Sequence, residues 1–289
     1  MKGLKALRLG SLSLRWQPRT ALVCAVLLVA MLLLWALLLG TGSLSLGPEQ
    51  VLANLLGQGQ DPTAQRVLQR VRLPRALTAT LVGAALGMAG AIFQSISRNA
   101  LGSPDVIGFT TGAASGAIVQ IMLFDAGPLA TSLAAVAAGL GTALLVLLLA
   151  RNGHSSGGYR LVLVGIGVGA SLSGLNSILL VSGNLDQAMF AQLWLAGSLN
   201  TRTWSHVLPA ALGLLLIAPI ALYHARRINL LEMGDATASQ LGVAVERTRL
   251  IMVLAAVGLT AIATAAAGPI AFIAPVSYTH LTLPTKRIV

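Results

Sequence analysis

Uncharged apolar runs of about 18 residues or more recur along this chain, each long enough to cross a hydrocarbon core of roughly 30 Å. Lipid offers backbone N–H and C=O groups no partner, so such runs must close their own hydrogen bonds as helices. Spans are expected at 20–40, 76–97, 106–123, 128–150, 160–182, 204–224 and 250–268. The composition agrees: 56% of residues are hydrophobic and 9% are charged, against roughly a quarter charged in a soluble domain. The net charge of +11 does not indicate nucleic acid, because the basic residues are scattered over loop ends and form no stripe with aromatics. Cys24, the single cysteine, falls inside the first run, which leaves no disulfide framework and no thiolate metal site. The first run, Ala21 to Leu39, follows Lys2, Lys5, Arg8, Arg15 and Arg19, and is longer than a signal-peptide core of 7–15 residues. It is read as a retained helix with a cytoplasmic N-terminus.

Charge then orients the loops. Segments 1–19, 98–105, 151–160 and 225–249 carry twelve Lys and Arg and would lie inside. Segments 124–128 and 183–203 carry only Arg202 and would lie outside. The remaining outside segment breaks the rule, with Arg66, Arg70, Arg72 and Arg75 inside "QRVLQRVRLPRA" (65–76). Two outside stretches pattern as short amphipathic helices: "LGPEQVLANLLGQ" (46–58), with a proline early in the helix, and "NLDQAMFAQLWLAGSLN" (184–200), with Met189, Phe190 and Trp194 toward lipid or bundle. The inside segment 224–249 has an apolar stripe at Leu230, Leu231, Met233, Ala238, Leu241 and Val243, interrupted by Gly234 and Gly242. Two short helices jointed at the glycines fit it. Small-residue spacings such as Gly83 to Gly87 and Gly165 to Gly169 predict close helix packing.

The spans have no Asp, Glu, Lys or Arg at mid-depth, where ion-driven carriers generally place them. His206 and His224 sit at span ends and read as interfacial polar groups. There is no H-E-x-x-H, no G-x-S-x-G and no P-loop, so neither an intramembrane hydrolase nor nucleotide binding by this chain is supported. If the chain transports, a partner must supply the energy.

Residues 72–116, "RLPRALTATLVGAALGMAGAIFQSISRNALGSPDVIGFTTGAASG", carry R-x-P-R, then G-A-x-L-x-x-x-G-x-x-x-Q, then R-N-x-L-x-x-P-x-x-x-G, then G-A. Arg72, Pro74, Arg75, Gly83, Ala84, Leu86, Gly90, Gln94, Arg98, Asn99, Leu101, Pro104, Gly108, Gly112 and Ala113 meet this pattern without a gap. The stretch resembles the FecCD family, the permease subunits of binding-protein-dependent ABC importers for iron chelates and cobalamin. The resemblance covers about residues 20–274 and leans toward the branch for ferric catecholate siderophores of the enterobactin type. It implies an all-α polytopic bundle of the type II ABC importer kind, with ten helices in an intact subunit, seven of which plus a partial eighth are visible here.

The resemblance also implies the partners: a second permease subunit (a paralogue or a second copy), a cytoplasmic ATPase dimer, and a periplasmic or lipoprotein binding protein that delivers the iron-siderophore. No cofactor and no catalytic residue are implied. Arg72 and Arg75 would dock the binding protein from the outer face, positioned by Pro74 at the start of the second helix. Leu231, Gly234, Ala238, Leu241, Gly242 and Val243 would couple to the ATPase. Pro74, Gly83, Gly90, Gln94, Asn99, Pro104 and Gly108 would serve packing. The protein is placed in the bacterial cytoplasmic membrane.

An ion-coupled carrier working without an ATPase, or a non-transport membrane scaffold, is the competing reading. Residues 1–274 are taken as the permease domain. The closing "PVSYTHLTLPTKRIV" (275–289) has no helical apolar period, and is expected to be foreign sequence joined to a shortened permease.

Overall fold

In the computed structural model, described over residues 5–9, 12–16, 18–42, 44–59, 61–99, 102–125, 127–150 and 158–270, the apolar runs are helices. The tail 275–289, Leu101 of the motif and residues 151–157 lie outside the described residues. Contacts divide the chain into two units, Met1–Ala76 and Leu77–Val289.

The first unit opens with an antiparallel hairpin that the apolar pattern did not anticipate, β1 (Lys5–Leu9) against β2 (Leu12–Trp16), with Leu9 opposite Leu12. Helix α1 (Pro18–Gly40) follows, then α2 (Pro48–Leu55) and α3 (Pro62–Val67). Helix α2 begins where Gly47-Pro48 suggested. The Gly47 N–H donates to Gln50 Oε1 at 3.1 Å, which closes its first turn. A small core of Leu39, Leu46, Val51, Ala64 and Leu68 holds these pieces together. Helix α3 widens into a π turn at Leu68–Arg72 and continues as α4 (Leu73–Ser97), so the helical stretch runs from Pro62 to Ser97. Pro74 is therefore interior to a helix, not at its start as expected.

The second unit contains a 3₁₀ turn (Pro104–Ile107), α5 (Phe109–Phe124), α6 (Pro128–Ala150) and α7 (Gly158–Ser182). It continues with α8 (Leu185–Leu195), α9 (Trp204–Glu232), α10 (Asp235–Gln240) and α11 (Val245–Ala267). Among the described residues six helical stretches are long and apolar enough to cross a membrane; the expected span at 106–123 is not one of them, because α5 has 16 residues. Its shortening has a local cause: Gly108 takes φ +72, which ends the 3₁₀ turn and starts α5. Helix plus turn still rises about 30 Å, at roughly 1.5 and 2 Å per residue.

Close helix packing occurs at one of the two spacings the sequence pointed to: a Cβ on Gly108 would lie 3.6 Å from Gly165 O and 3.7 Å from Gly169 N. A Cβ on Gly83 would meet nothing within 4 Å. On Gly112 it would lie 2.1 Å from Thr142 Oγ1, and on Gly116 2.5 Å from the Ala134 carbonyl. The four-residue spacing of Gly112 and Gly116 therefore sets the α5–α6 contact. Helix α11 is the most enclosed of the spans, with Met252, Val253, Ala256, Val257 and Leu259 inside the main core.

Candidate functional site

In the first unit the local sequence builds a basic helix. Asp61 caps it by accepting the Thr63 N–H at 2.8 Å, and Pro62 occupies the first helical position. Pro74 has no N–H to give the carbonyl four residues back, and its ring crowds that carbonyl. The chain accommodates it with the wide turn just before, where the Leu73 N–H bonds to Leu68 O.

The two arginines of the R-x-P-R motif then separate. Arg75 is exposed, whereas Arg72 is only 6% exposed. Arg72 Nη1 donates to Leu39 O at 2.6 Å, and Nη2 donates to Leu44 O. Carbonyls at and beyond a helix C-terminus lack intrahelical donors and carry partial negative charge, so one guanidinium satisfies two of them. Arg72 is thus a clamp on the end of α1, buried there and not open to solvent. Arg66, Arg70 and Arg75 are exposed, and none of them makes an ion pair among the described residues.

In the second unit the segment 224–249 departs from two short helices. Helix α9 runs on to Glu232, because nothing before Gly234 breaks it. Gly234, at φ +111, turns the chain into α10, and Gly242, at φ +81, turns it out again. The stripe splits by burial. Leu231 and Ala238 are buried and hold the turn, Val243 is partly buried, and Met233 and Leu241 are 64% and 58% exposed. An exposed pair of large apolar side chains on a short helix-turn gives a partner protein something to grip.

An ion network secures this turn. Arg98, just past α4, donates through Nε to Leu231 O at 3.2 Å and through Nη2 to Asp235 Oδ1. Arg249, near the start of α11, donates to Asp235 Oδ2 at 2.8 Å and to Glu246 Oε1 at 2.6 Å, with its own side chain 6% exposed. Burial works against ionisation of Asp235, but the hydrogen bond and charge of Arg249, together with Arg98, outweigh it and hold the carboxyl below its usual value. Arg98 appeared in the sequence only as a motif letter, and Asp235 and Arg249 were not singled out. The only signal was an acid directly after Gly234.

Several other motif residues sit in local structure. Gly90 and Gln94 are buried in α4, and Pro104 starts the 3₁₀ turn that Gly108 ends. Asn99 shapes the intervening loop: its N–H bonds to Gln94 O at 3.2 Å and its carbonyl takes the Gly102 N–H at 2.9 Å. On α8, Met189 and Phe190 face outward while Trp194 packs inward. His224 Nδ1 lies 3.0 Å from Ile220 O, and His206 Nε2 lies 3.2 Å from Arg202 Nη1, so both histidines have local structural partners. A groove of about 280 Å³ is lined by Thr110, Thr111, Ser173, Asn176 and Ser177 among apolar neighbours. No group of three or more His, Cys, Asp or Glu that could hold a metal occurs among the described residues.

Comparison with known proteins adds relatives to this geometry. The pattern of the FecCD transport family matches residues 10–277. The ferric enterobactin transport system permease protein FepG of Escherichia coli (strain K12) is 48% identical, across 90% of this chain and 78% of its own length. The Fe(3+)-citrate import system permease protein YfmE of Bacillus subtilis (strain 168) is 35% identical, across 90% and 77%. Among solved structures, a metal-chelate type ABC transporter in an inward-facing conformation superposes with a TM-score of 0.77 at 30% identity, across 90% of this chain and 79% of that one.

Proposed function

The chain belongs to the FecCD transport family, and on that premise we propose that it is the membrane-spanning permease subunit of an ABC importer for an iron-siderophore, of the catecholate type. The observation that carries this reading is the 48% identity to a ferric enterobactin permease over nine-tenths of the chain. The protein is a multi-pass permease of the bacterial inner membrane and not itself an enzyme; ATP is hydrolysed by a separate subunit. The residues fit that division of labour. Among the described residues no Asp, Glu, Lys or Arg occurs between 76 and 97, and in the other spans the charges lie near the ends, such as Arg160, Glu232 and Glu246, so an ion-coupled mechanism has nothing at mid-depth to titrate.

The finer assignments follow from the two surfaces. Exposed Arg75, with Arg66 and Arg70 beside it, receives acidic side chains of a substrate-binding protein on the outer face. Exposed Met233 and Leu241, on the turn held by Leu231, Gly234, Ala238, Gly242 and Val243, receive the ATPase on the cytoplasmic face. The N-terminus is then cytoplasmic. Loaded binding protein and ATP each bias the permease pair between outward-open and inward-open states, and the chelate passes through chemically unchanged. The groove sets a few hydroxyl and amide groups among apolar neighbours, and passing a chelate unchanged needs no reactive group there.

The test is uptake of ⁵⁵Fe-enterobactin by cells deleted for their own ferric enterobactin permease and supplied with this permease and its neighbouring subunits. Accumulation that stops when the ATPase carries an inactivating P-loop substitution is the expected result. Uptake that persists without ATP hydrolysis would favour an ion-coupled carrier. Absence of uptake for ferric catecholates, but not for ferric citrate, would move the substrate class.

A further inference from the structure

The end of α4 closes in a way that normally calls for glycine. The Arg98 N–H bonds to Ser95 O and the Asn99 N–H to Gln94 O, at 3.4 and 3.2 Å, the paired bonds of a Schellman cap. The residue at the centre of such a cap takes the left-handed conformation, and Arg98 does, at φ +51. Glycine adopts that conformation without steric cost and arginine does not. The backbone alone therefore gives no reason for an arginine here; its side chain supplies one.

That side chain leaves α4 and reaches two other elements. Nε bonds to Leu231 O, in the last turn of α9, and Nη2 bonds to Asp235, the first residue of α10. Between those two contacts sits Gly234 at φ +111, the joint about which α10 can swing relative to α9. One guanidinium thus spans the joint and ties both sides of it to the end of α4. Arg249, nearly buried, holds the other oxygen of Asp235 from α11. The carboxylate of Asp235 is the point where α10 is held to α4 and α11 at once.

We propose that Arg98 is a positioning residue for transport: a strut through which displacement of α10 is delivered to the ends of α4 and α9 together, instead of being lost as bending at Gly234. The proposal rests on the reading of the 231–249 turn as the ATPase-docking surface. Arg98 itself is half exposed and lies beside that surface, and its job is to carry motion from it and not to hold the ATPase.

The full-length permease, assembled with its paired subunit, ATPase and binding protein in proteoliposomes, gives the test. Arg98→Gly relaxes the cap but gives up two half-exposed bonds, and these effects oppose each other, so the assembled complex should melt close to the parent and keep its ATPase. The ratio of chelate imported to ATP hydrolysed should nevertheless fall about tenfold, within the usual range of coupling between sites. Arg98→Lys, which keeps a charge for Asp235 but cannot make both contacts with one planar group, should recover to within about threefold of the parent. A ratio for Arg98→Gly within about twofold of the parent, well below the fivefold floor of typical site coupling, overturns the strut. So does loss of the ATPase from that variant, because Arg98 would then be part of the docking surface. Leu241→Asp, run in parallel, separates the two readings. If that variant keeps both ATPase and transport, the docking assignment of the turn falls and the strut with it. If it sheds the ATPase while Arg98→Gly transports normally, only the strut falls.

Discussion

Around Pro74, arginines stand on one helix and make no ion pair among the described residues: Arg66, Arg70 and Arg75 are exposed, and Arg72 turns in to backbone carbonyls. Around Gly234, Arg98 and Arg249 converge on Asp235, and Arg249 reaches Glu246 as well. Both regions are basic, so charge count does not distinguish them; Arg226, Arg227 and Arg247 are exposed near the turn too. What distinguishes them is whether the chain supplies its own anion. Where it does, the arginine fixes the angle between elements. Where it does not, an arginine either turns in to backbone carbonyls, as Arg72 does, or stays exposed, as Arg66, Arg70 and Arg75 do, and adds its charge to the long-range field of that surface.

The broadest way to break the comparison is to ask whether the two regions face different compartments. With Cys24 replaced by serine, a cysteine at Asn184 should react fully with an impermeant thiol reagent in spheroplasts, and one at Gln240 should react only after permeabilisation. Both positions are exposed, so access to the reagent and not burial decides the result. Labelling in the reverse order would invert the orientation and assign the Pro74 arginines to the cytoplasm.

The next effect is on stability, and it should group Arg72 with Arg249 and not with its motif partner Arg75. Arg72→Met removes two charge-assisted bonds and strands the Leu39 and Leu44 carbonyls, a loss of about 3 kcal/mol. Arg249→Met takes the buried guanidinium away from Asp235 and Glu246 and leaves the half-exposed Arg98 on Asp235; both acids are partly solvated, so about 2 kcal/mol is expected. Arg75→Glu should stay within about 0.5 kcal/mol of the parent, as exposed substitutions usually do. Thermal melting of the detergent-solubilised permease checks all three. A loss for Arg75→Glu equal to that for Arg72→Met would mean that the motif works as one structural unit.

How much of this was legible from sequence depended on the range of the interaction. The spans were legible because hydrocarbon demands uninterrupted apolar length, and α2 was legible from Gly47-Pro48. The true start of the basic helix was also written locally, in the Asp61-Pro62 cap. Pro74, read as a start, obscured it, because a wide turn lets a helix absorb a proline. The end of α9 was misjudged at His224-Ala-Arg-Arg since charges suggest a membrane boundary, but charges do not stop a helix and Gly234 does. The two arginine fates were not legible. Which carbonyl Arg72 meets depends on residues about 30 positions away, and Arg98 meets Asp235 across 137 positions.

A smaller effect sharpens the comparison further. Arg66→Glu combined with Arg75→Glu should weaken binding-protein association about tenfold at low salt, and by much less at 0.5 M, because exposed pairs are screened beyond a few ångströms there. An equal loss at both salt concentrations would indicate a shape defect instead of a lost field.

The most direct test of separate partners for the two regions is a single co-purification, with binding protein and ATPase quantified from the same detergent-solubilised complex for Arg66→Glu/Arg75→Glu and for Leu241→Asp. The account predicts a crossover: the arginine variant keeps its ATPase and loses most of its binding protein, and the Leu241 variant does the opposite. Loss of both partners from either variant, or of the same partner from both, would contradict it.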